Sequence, residues 1–433
     1  MRTSDRDTLK RKVLSRRRFL ELAGTVAAGA LVSSCVPAVP ASDAPATTAA
    51  PTEVMPTDVP PAAEAATRTP AGVAEATEAA ATATSAPTVE GATPVPTEVP
   101  TKAPAPVASG GPKVAIGTAR DYDRATMESV MRDMLDGIGG LGDVVRPGDR
   151  VAMKVNLTGG VGNNGPAGYS PMESFVTHPE TVRALAGLVR DAGASEVLIV
   201  EAVYQWESYT QWGLDAVAAD MGATLVDLNA TDPYDDFLHF PVPGGGTVYP
   251  DYILNPLLQD VDVFMSIAKM KCHFVAGVTH SLKNLFGLVP ARFYRLSDNH
   301  SHRSEFHGPT NETAGDRVPK IIVDLNKSRP IHFALVDGVL TTDGGEGPWI
   351  GSFGAVQPGA LFAGKDPVAT DAVATAAQGF DPEAAHYTEP FIRGLNHLAL
   401  AAAAGLGTNR LSEIEVVGAS VEDVRTPFKL ATG

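Results

Sequence analysis

From about residue 113 onward, short runs of aliphatic and β-branched residues alternate with stretches of helical period. Val114–Thr118, Arg150–Val155, Glu196–Val200, Thr224–Leu228, Val261–Ala268, His332–Asp337 and Ala360–Ala363 read as buried strands, because four to eight apolar residues bounded by turn formers fit a covered strand. Between them, Pro179–Ala192 reads as a helix: Pro179 suits the first helical position, Val182, Leu185, Ala186 and Val189 share one face, and Gly193 is a stop. Asp366-Pro367 opens a second helix of small residues that ends near Gly379. Strands alternating with helices predict an α/β fold with a largely parallel, doubly wound sheet and helices on both faces.

Ahead of this zone the pattern is different. Residues 36–112 are almost entirely Ala, Pro, Thr, Val and Glu in repeated Pro-Thr-Glu-Val-type phrases. Such a stretch cannot bury enough apolar area to offset ordering entropy, so it reads as a disordered linker, reaching on the order of 50 Å as a flexible coil. Residues 1–35 carry a basic segment and an apolar run from Leu22 to Val32. That run is about a dozen residues, short of the roughly 20 that a spanning helix needs. Ser15-Arg16-Arg17-Arg18-Phe19-Leu20 resembles a twin-arginine export signal, and Val32-Ser33-Ser34-Cys35 resembles a lipoprotein processing box. The organisation expected is a signal over 1–35, a linker over 36–112 and one α/β domain over 113–433, exported by the twin-arginine machinery. The domain would then stand on the extracytoplasmic side of a membrane, anchored by acyl chains on Cys35.

The net charge of −16 divides into +5 over the signal, −6 over the linker and −15 over the domain. No basic stripe is left to follow a phosphate backbone, so nucleic acid is not an expected partner. Two cysteines, Cys35 and Cys272, are too few for a disulfide framework or a cysteine-ligated iron–sulfur cluster.

Ligands of open α/β sheets gather at the carboxyl ends of strands. Asn156, Glu201, Lys269, Lys271, His273, Asp337 and Asp343 follow the predicted strands and are expected to line one crevice. The densest stretch runs from Lys269 to Gly287, where Thr279 reads as the N-cap of a helix carrying His280, Lys283 and Asn284 on one face. Histidine titrates near neutrality and burial shifts lysine downward, so this stretch suits anion binding or proton transfer. His178 precedes Pro179 and reads as either a cap or a ligand group. Asp343 and Glu346, in a glycine-rich turn, could hold a divalent cation through hard oxygen atoms. Arg292 and Arg295 could clamp an anion. His300, His302 and His307 are irregularly spaced and make a weak metal signal, while His239, His332, His386 and His397 read as isolated core or surface residues.

Lys-x-His at 271–273, Leu282-Lys283-Asn284-Leu285-Phe286-Gly287, Thr177-His178-Pro179, Val336-Asp337-Gly338, Gly345-Glu346-Gly347-Pro348 and Gly364-Lys365-Asp366-Pro367-Val368-Ala369-Thr370-Asp371 together resemble the domain of unknown function 362 family over nearly all of 150–418. That family has no settled reaction. Some members carry a ferredoxin-like iron–sulfur domain whose cysteines are absent here, and Cys272 stands where a threonine is common. His273-Phe274-x-Ala276-Gly277, with Lys283 ten residues beyond the histidine, is also similar to a segment of the lactate racemase family. There, the resemblance implies, the histidine is an acid/base and the lysine holds a nickel-pincer nucleotide. Ser281-Leu282 replaces the Gly-Gly of that family.

The function expected is a metal- or cofactor-assisted enzyme acting on a small anionic molecule. His273 would be general acid/base, with Lys271, Lys283 and His280 beside it, and Asn156, His178, Asn284, Arg292 and Arg295 as ligand contacts. The cofactor is not identified beyond a possible divalent metal. A tethered binding protein without turnover, or a purely structural surface protein, would share the signal and linker. The anchor is open to a direct check. Cys35→Ser should move the chain from the membrane fraction to the soluble exported fraction, and replacing Arg16 and Arg17 by lysine should hold it inside the cell. A Cys35→Ser chain that stays on the membrane would contradict the anchor.

Overall fold

The computed structural model describes residues 110–297 and 303–432. Arg16, Arg17 and Cys35, nearly all of the linker, and His300 and His302 lie outside the described residues. Twelve strands are described: β1 (Lys113–Thr118), β2 (Arg150–Lys154), β3 (Glu196–Glu201), β4 (Thr224–Asp227), β5 (Leu238–Pro241), β6 (Asp251–Leu254), β7 (Val263–His273), β8 (Gly277–Thr279), β9 (Phe333–Asp343), β10 (Gly354–Val356), β11 (Ala360–Gly364) and β12 (Glu415–Gly418). Eight form a continuous path in the order β12-β1-β11-β9-β7-β2-β3-β4, with β8 and β10 paired as hairpin partners on β7 and β9, and β5 and β6 making a small separate sheet. From β9 to β4 every pairing is parallel, while β11 runs antiparallel to both β9 and β1. The fold is therefore the largely parallel, doubly wound α/β arrangement that the alternation predicts.

Alternate residues of each central strand enter opposite cores, as the pleat requires. Val151, Met153, Val197, Ile199, Met265 and Ile267 pack with Met131, Val182, Leu185 and Val189 from the helices Arg124–Gly137 and Pro179–Asp191. Ala152, Leu198, Phe264, Val336 and Phe362 pack with Val318, Ile321, Ile322 and Val373 from the helices Asn311–Ser328 and Pro367–Ala377. No described helix is long and apolar enough to cross a membrane.

Two strands run further than their apolar content suggests. β7 continues through Lys269, Lys271 and His273, and β9 through Asp337 to Asp343, every residue buried. Lys269, Lys271, His273 and Asp343 do not follow their strands as expected; they belong to them. The ladder continues because β8 folds back on β7, pairing Lys271 with Thr279 and His273 with Gly277, and β10 does the same for β9.

The helix after β8 is also corrected. Thr279 ends the strand, His280 occupies the cap position without a side-chain cap bond, and the α-helix covers only Ser281–Asn284 before tightening into a 3-10 turn. The orphan donors of this helix start are met from across the fold. Buried Asp371 accepts from Ser281 N at 2.9 Å, Ser281 Oγ at 2.6 Å and Leu282 N at 2.9 Å. Asp371 thus points neither into a crevice nor to water, and it fixes the segment that carries Lys283.

Candidate active site

The carboxyl ends of β2 and β3 bring two charges together out of water. Lys154 is fully buried, and its ammonium donates to Glu201 Oε2 at 2.9 Å, Asn284 Oδ1 at 3.1 Å and the Val155 carbonyl at 2.6 Å. Burial pulls the Lys154 ammonium down, and the Glu201 carboxylate pulls it back up. Glu201 Oε2 also accepts from Leu157 N at 3.0 Å. Asn284 locks the pair in place: its amide donates to the Lys154 carbonyl and to Ser266 Oγ, both at 3.1 Å, so one side chain joins β2, β7 and the Lys283 helix. Gly287 packs directly on the ion pair, where a Cβ would overlap Glu201 Oε1 and Lys154 Nζ. Only glycine admits that approach.

Above this floor opens a cavity of about 550 Å³. Asn156, Lys283, Asn284, His273, Arg303 and Glu346 line it, together with Lys154, Glu201, His307, Trp349 and the glycine-bearing turn after β2. His273 enters from the end of β7. Its Nδ1 accepts from the backbone N–H groups of Val275 and Ala276, both at 3.1 Å. Two donors on Nδ1 leave the ring proton of the neutral imidazole on Nε2. Protonating Nδ1 would set a third N–H against them. Burial, then the charge of Lys283, also holds His273 well below the ordinary histidine value. Nε2 lies 3.9 Å from Glu346 Oε1, outside hydrogen-bond reach, so the N–H is left for another acceptor. Glu346 braces the same turn, accepting from Phe274 N at 3.0 Å and from Trp349 Nε1 at 3.1 Å.

Lys283 is half-buried beside Phe286, with its ammonium 5.1 Å from the ring centroid. It makes no hydrogen bond or ion pair to any described residue. Burial first pushes it down to about 8, with Arg303 and Lys154 adding repulsion against the pull of Glu346. Arg303 spends Nε on the Val289 carbonyl at 2.6 Å and Nη2 on the Ala202 carbonyl at 3.1 Å, leaving Nη1 without a partner among the described residues. Trp349 is 46% exposed and lines the cavity with its ring close against Gly159 and Gly347.

The other residues picked out by sequence lie elsewhere. Lys271 donates to the Phe175 carbonyl at 2.8 Å and does not line the cavity. Lys269 pairs with Asp337 at 3.1 Å and donates to Tyr122 Oη at 2.6 Å. His178 is the helix cap, accepting from Glu180 N at 3.2 Å with its ring stacked on Tyr122 at 3.5 Å. His280 is fully buried near Thr375, and burial holds it at about 3. It does not share a face with Lys283, because the single helical turn starts after it. Arg292 lies over Phe237 and Phe293, and neither it nor Arg295 lines the cavity. Burial pushes the Cys272 thiol up, away from the reactive thiolate.

Asp343 accepts from Lys429 N at 3.1 Å and is not part of the cavity lining, so it does not join Glu346 there. No group of three or more His, Cys, Asp or Glu suited to a metal ion occurs among the described residues. Sequence reasoning passed over Lys154, Arg303 and Trp349. A lysine ending an apolar strand was the available signal for the first; the other two sit in loops and carried none.

Fold and site define an α/β protein with a cavity that carries several ionisable side chains at the carboxyl ends of parallel strands. The family model described as domain of unknown function (DUF362) matches residues 151–376, and the chain belongs to that family. A thylakoid-associated protein of Synechocystis sp. is 27% identical over 270 residues, which is 62% of this chain and 75% of that one. Among solved structures, the lactate racemase apoprotein of Thermoanaerobacterium thermosaccharolyticum is 14% identical, with a TM-score of 0.31 over 57% of this chain and 54% of that one. A Thermotoga maritima protein is 10% identical, with a TM-score of 0.27 over 52% of each. The chain thus spans about half the length of the solved structures it matches.

The cavity floor predicts a specific pattern of stability. Lys154→Ala leaves the Glu201 carboxylate buried without its cation and should cost about 3–5 kcal/mol in denaturant unfolding. The double change Lys154→Met with Glu201→Leu should recover most of that loss. A single variant as stable as the parent would show that the pair does not hold the floor.

Proposed function

We propose that the cavity is the active site of an enzyme acting on a small anionic molecule. One observation carries this: Lys283 Nζ and Arg303 Nη1, two cationic donors, line one cavity and make no bond to any described residue. A carboxylate or phosphate between them would satisfy both, and charge-assisted bonds of this kind are among the stronger polar contacts. His273 then serves as a neutral N–H donor to a substrate oxygen where charge develops, a narrower role than general acid/base. Glu346 orients the turn that presents it. Lys283 carries charge in its protonated form and is the group best placed to exchange a proton near neutrality.

A divalent cation finds poor ligands here. Of Asp343 and Glu346 only Glu346 lines the cavity, and both of its oxygens already accept N–H bonds. No step above runs through a metal. The signal-like and processing-box residues support the further proposal that the domain works outside the cytoplasm on a lipid tether at Cys35. The Synechocystis relative is named thylakoid-associated, which supports the membrane part of this reading alone.

The anion reading is tested with oxalate, whose charge does not change between about pH 6 and 10. Lys283 is cationic below its value of about 8 and neutral above it, and the ionisable groups that share the cavity with it are Lys154, Arg303, Glu201, Glu346, His273 and His307. Oxalate affinity in calorimetry should hold at low pH and fall about tenfold or more as pH rises through that value. Lys283→Gln should bind weakly at every pH and flatten the profile. Affinity independent of both pH and Lys283 would contradict the reading. Turnover is judged by mass spectrometry of a pool of small carboxylates and phosphate esters: conversion lost in His273→Ala supports the enzyme, and ligand returned unchanged identifies a binder.

A further inference from the structure

Four lysines lie near the carboxyl edge of the sheet, Lys154, Lys269 and Lys271 buried and Lys283 half-buried, and their partners separate them. Lys154 makes three bonds, one of them to a carboxylate. Lys269 is paired with Asp337 and bonded to Tyr122. Lys271 is bonded to a backbone carbonyl and is absent from the cavity lining. Lys283 alone of the four enters the cavity with no acceptor among the described residues, against the apolar face of Phe286. As an ammonium, Lys283 would take its acceptor from a bound anion; as a neutral amine, it would carry a lone pair that no described residue engages. Desolvated beside Arg303 and Lys154, it also meets the conditions for that neutral amine.

The rest of the lining suits a particular reaction of such an amine. His273 presents a neutral Nε2–H, a donor for a carbonyl oxygen rather than for a carboxylate already neutralised by a cation. Arg303 Nη1 supplies the cation for a carboxylate. Donors for a carbonyl oxygen and for a carboxylate, flanking an amine within about 550 Å³, describe a compact acid bearing both groups.

We propose that Lys283 forms a Schiff base with a small 2-oxo acid. This rests on the reading that the cavity takes a small anion, and names its chemistry. The amine lone pair attacks the carbonyl carbon, and the C–N bond forms as the C=O π pair moves to oxygen beside His273 Nε2–H. The two protons that the amine gives up pass to that oxygen, which leaves as water, and the carbon–nitrogen double bond remains. No oxidant or reductant is needed. Burial, which pushes Lys283 down to about 8, keeps a usable share of the amine neutral near physiological pH.

The test uses the full chain incubated with pyruvate or glyoxylate and sodium cyanoborohydride, then digested for mass spectrometry. The expected product is one oxo acid, less one water and plus two hydrogens, on the peptide holding Lys283. Lys283→Arg should lose it, and saturating oxalate should suppress it in the unaltered protein, a readout that does not require a variant to fold. Adduct yield should rise through about pH 8 while oxalate affinity falls, because one needs the free amine and the other the ammonium. Oxalate binding that depends on Lys283, with no adduct from either oxo acid, would overturn the Schiff base and leave the anion reading standing. No oxalate binding by the unaltered protein at any pH would overturn the anion reading and the Schiff base with it. Labelling spread over many lysines and unchanged in Lys283→Arg would also overturn the proposal.

Discussion

Two backbone N–H groups, those of Val275 and Ala276, converge on Nδ1 of His273, and the chemistry available to the cavity follows from that contact. The contact exists because β7 reverses into β8 through a tight turn, with Gly277 at φ 78° and pressed against Phe391 and the Pro390 carbonyl, where a Cβ would clash. The turn is held from its other side by Glu346, which accepts from Phe274 N. An imidazole so placed is oriented, fixed in one tautomer and kept neutral. It offers a proton donor to a ligand without competing as a cation with Lys283 and Arg303.

The electrostatics of the region divide by pairing. Moving a charge out of water costs several kcal/mol unless a partner offsets it. Lys154 with Glu201, and Lys269 with Asp337, meet that condition, and each pair joins two neighbouring strands of the sheet. These pairs build the scaffold. Lys283 and Arg303 Nη1 do not meet it from the described residues, so a bound anion would complete what the protein leaves open. The buried pairs therefore tie neighbouring strands together, and the unpaired cations make the cavity receptive.

The sheet, the helix Pro179–Asp191 and the Asp366 cap were legible in the chain because apolar period and capping chemistry are local signals. The ends of β7 and β9 were not. Lysines and aspartates inside a strand read as a loop until their partners across the sheet are known: Lys269 is tolerable in β7 because Asp337 stands opposite it in β9. Candidates gathered by proximity in sequence separated for the same reason. His273 and Lys283 meet in the cavity, as do Asn156, Asn284 and Glu346, whereas Lys271 faces away, His280 sinks into the core and Asp343 braces Lys429. Arg303 could not be chosen from pattern, since its role depends on the Val289 and Ala202 carbonyls that fix its guanidinium.

Imidazole nitrogen NMR on ¹⁵N-histidine-labelled protein tests the central claim most directly. The account predicts that His273 shows an unprotonated Nδ1 and a protonated Nε2 throughout about pH 5–8, without the titration of an ordinary histidine. A ring carrying protons on both nitrogens near pH 6, or a proton on Nδ1 at neutral pH, would contradict it.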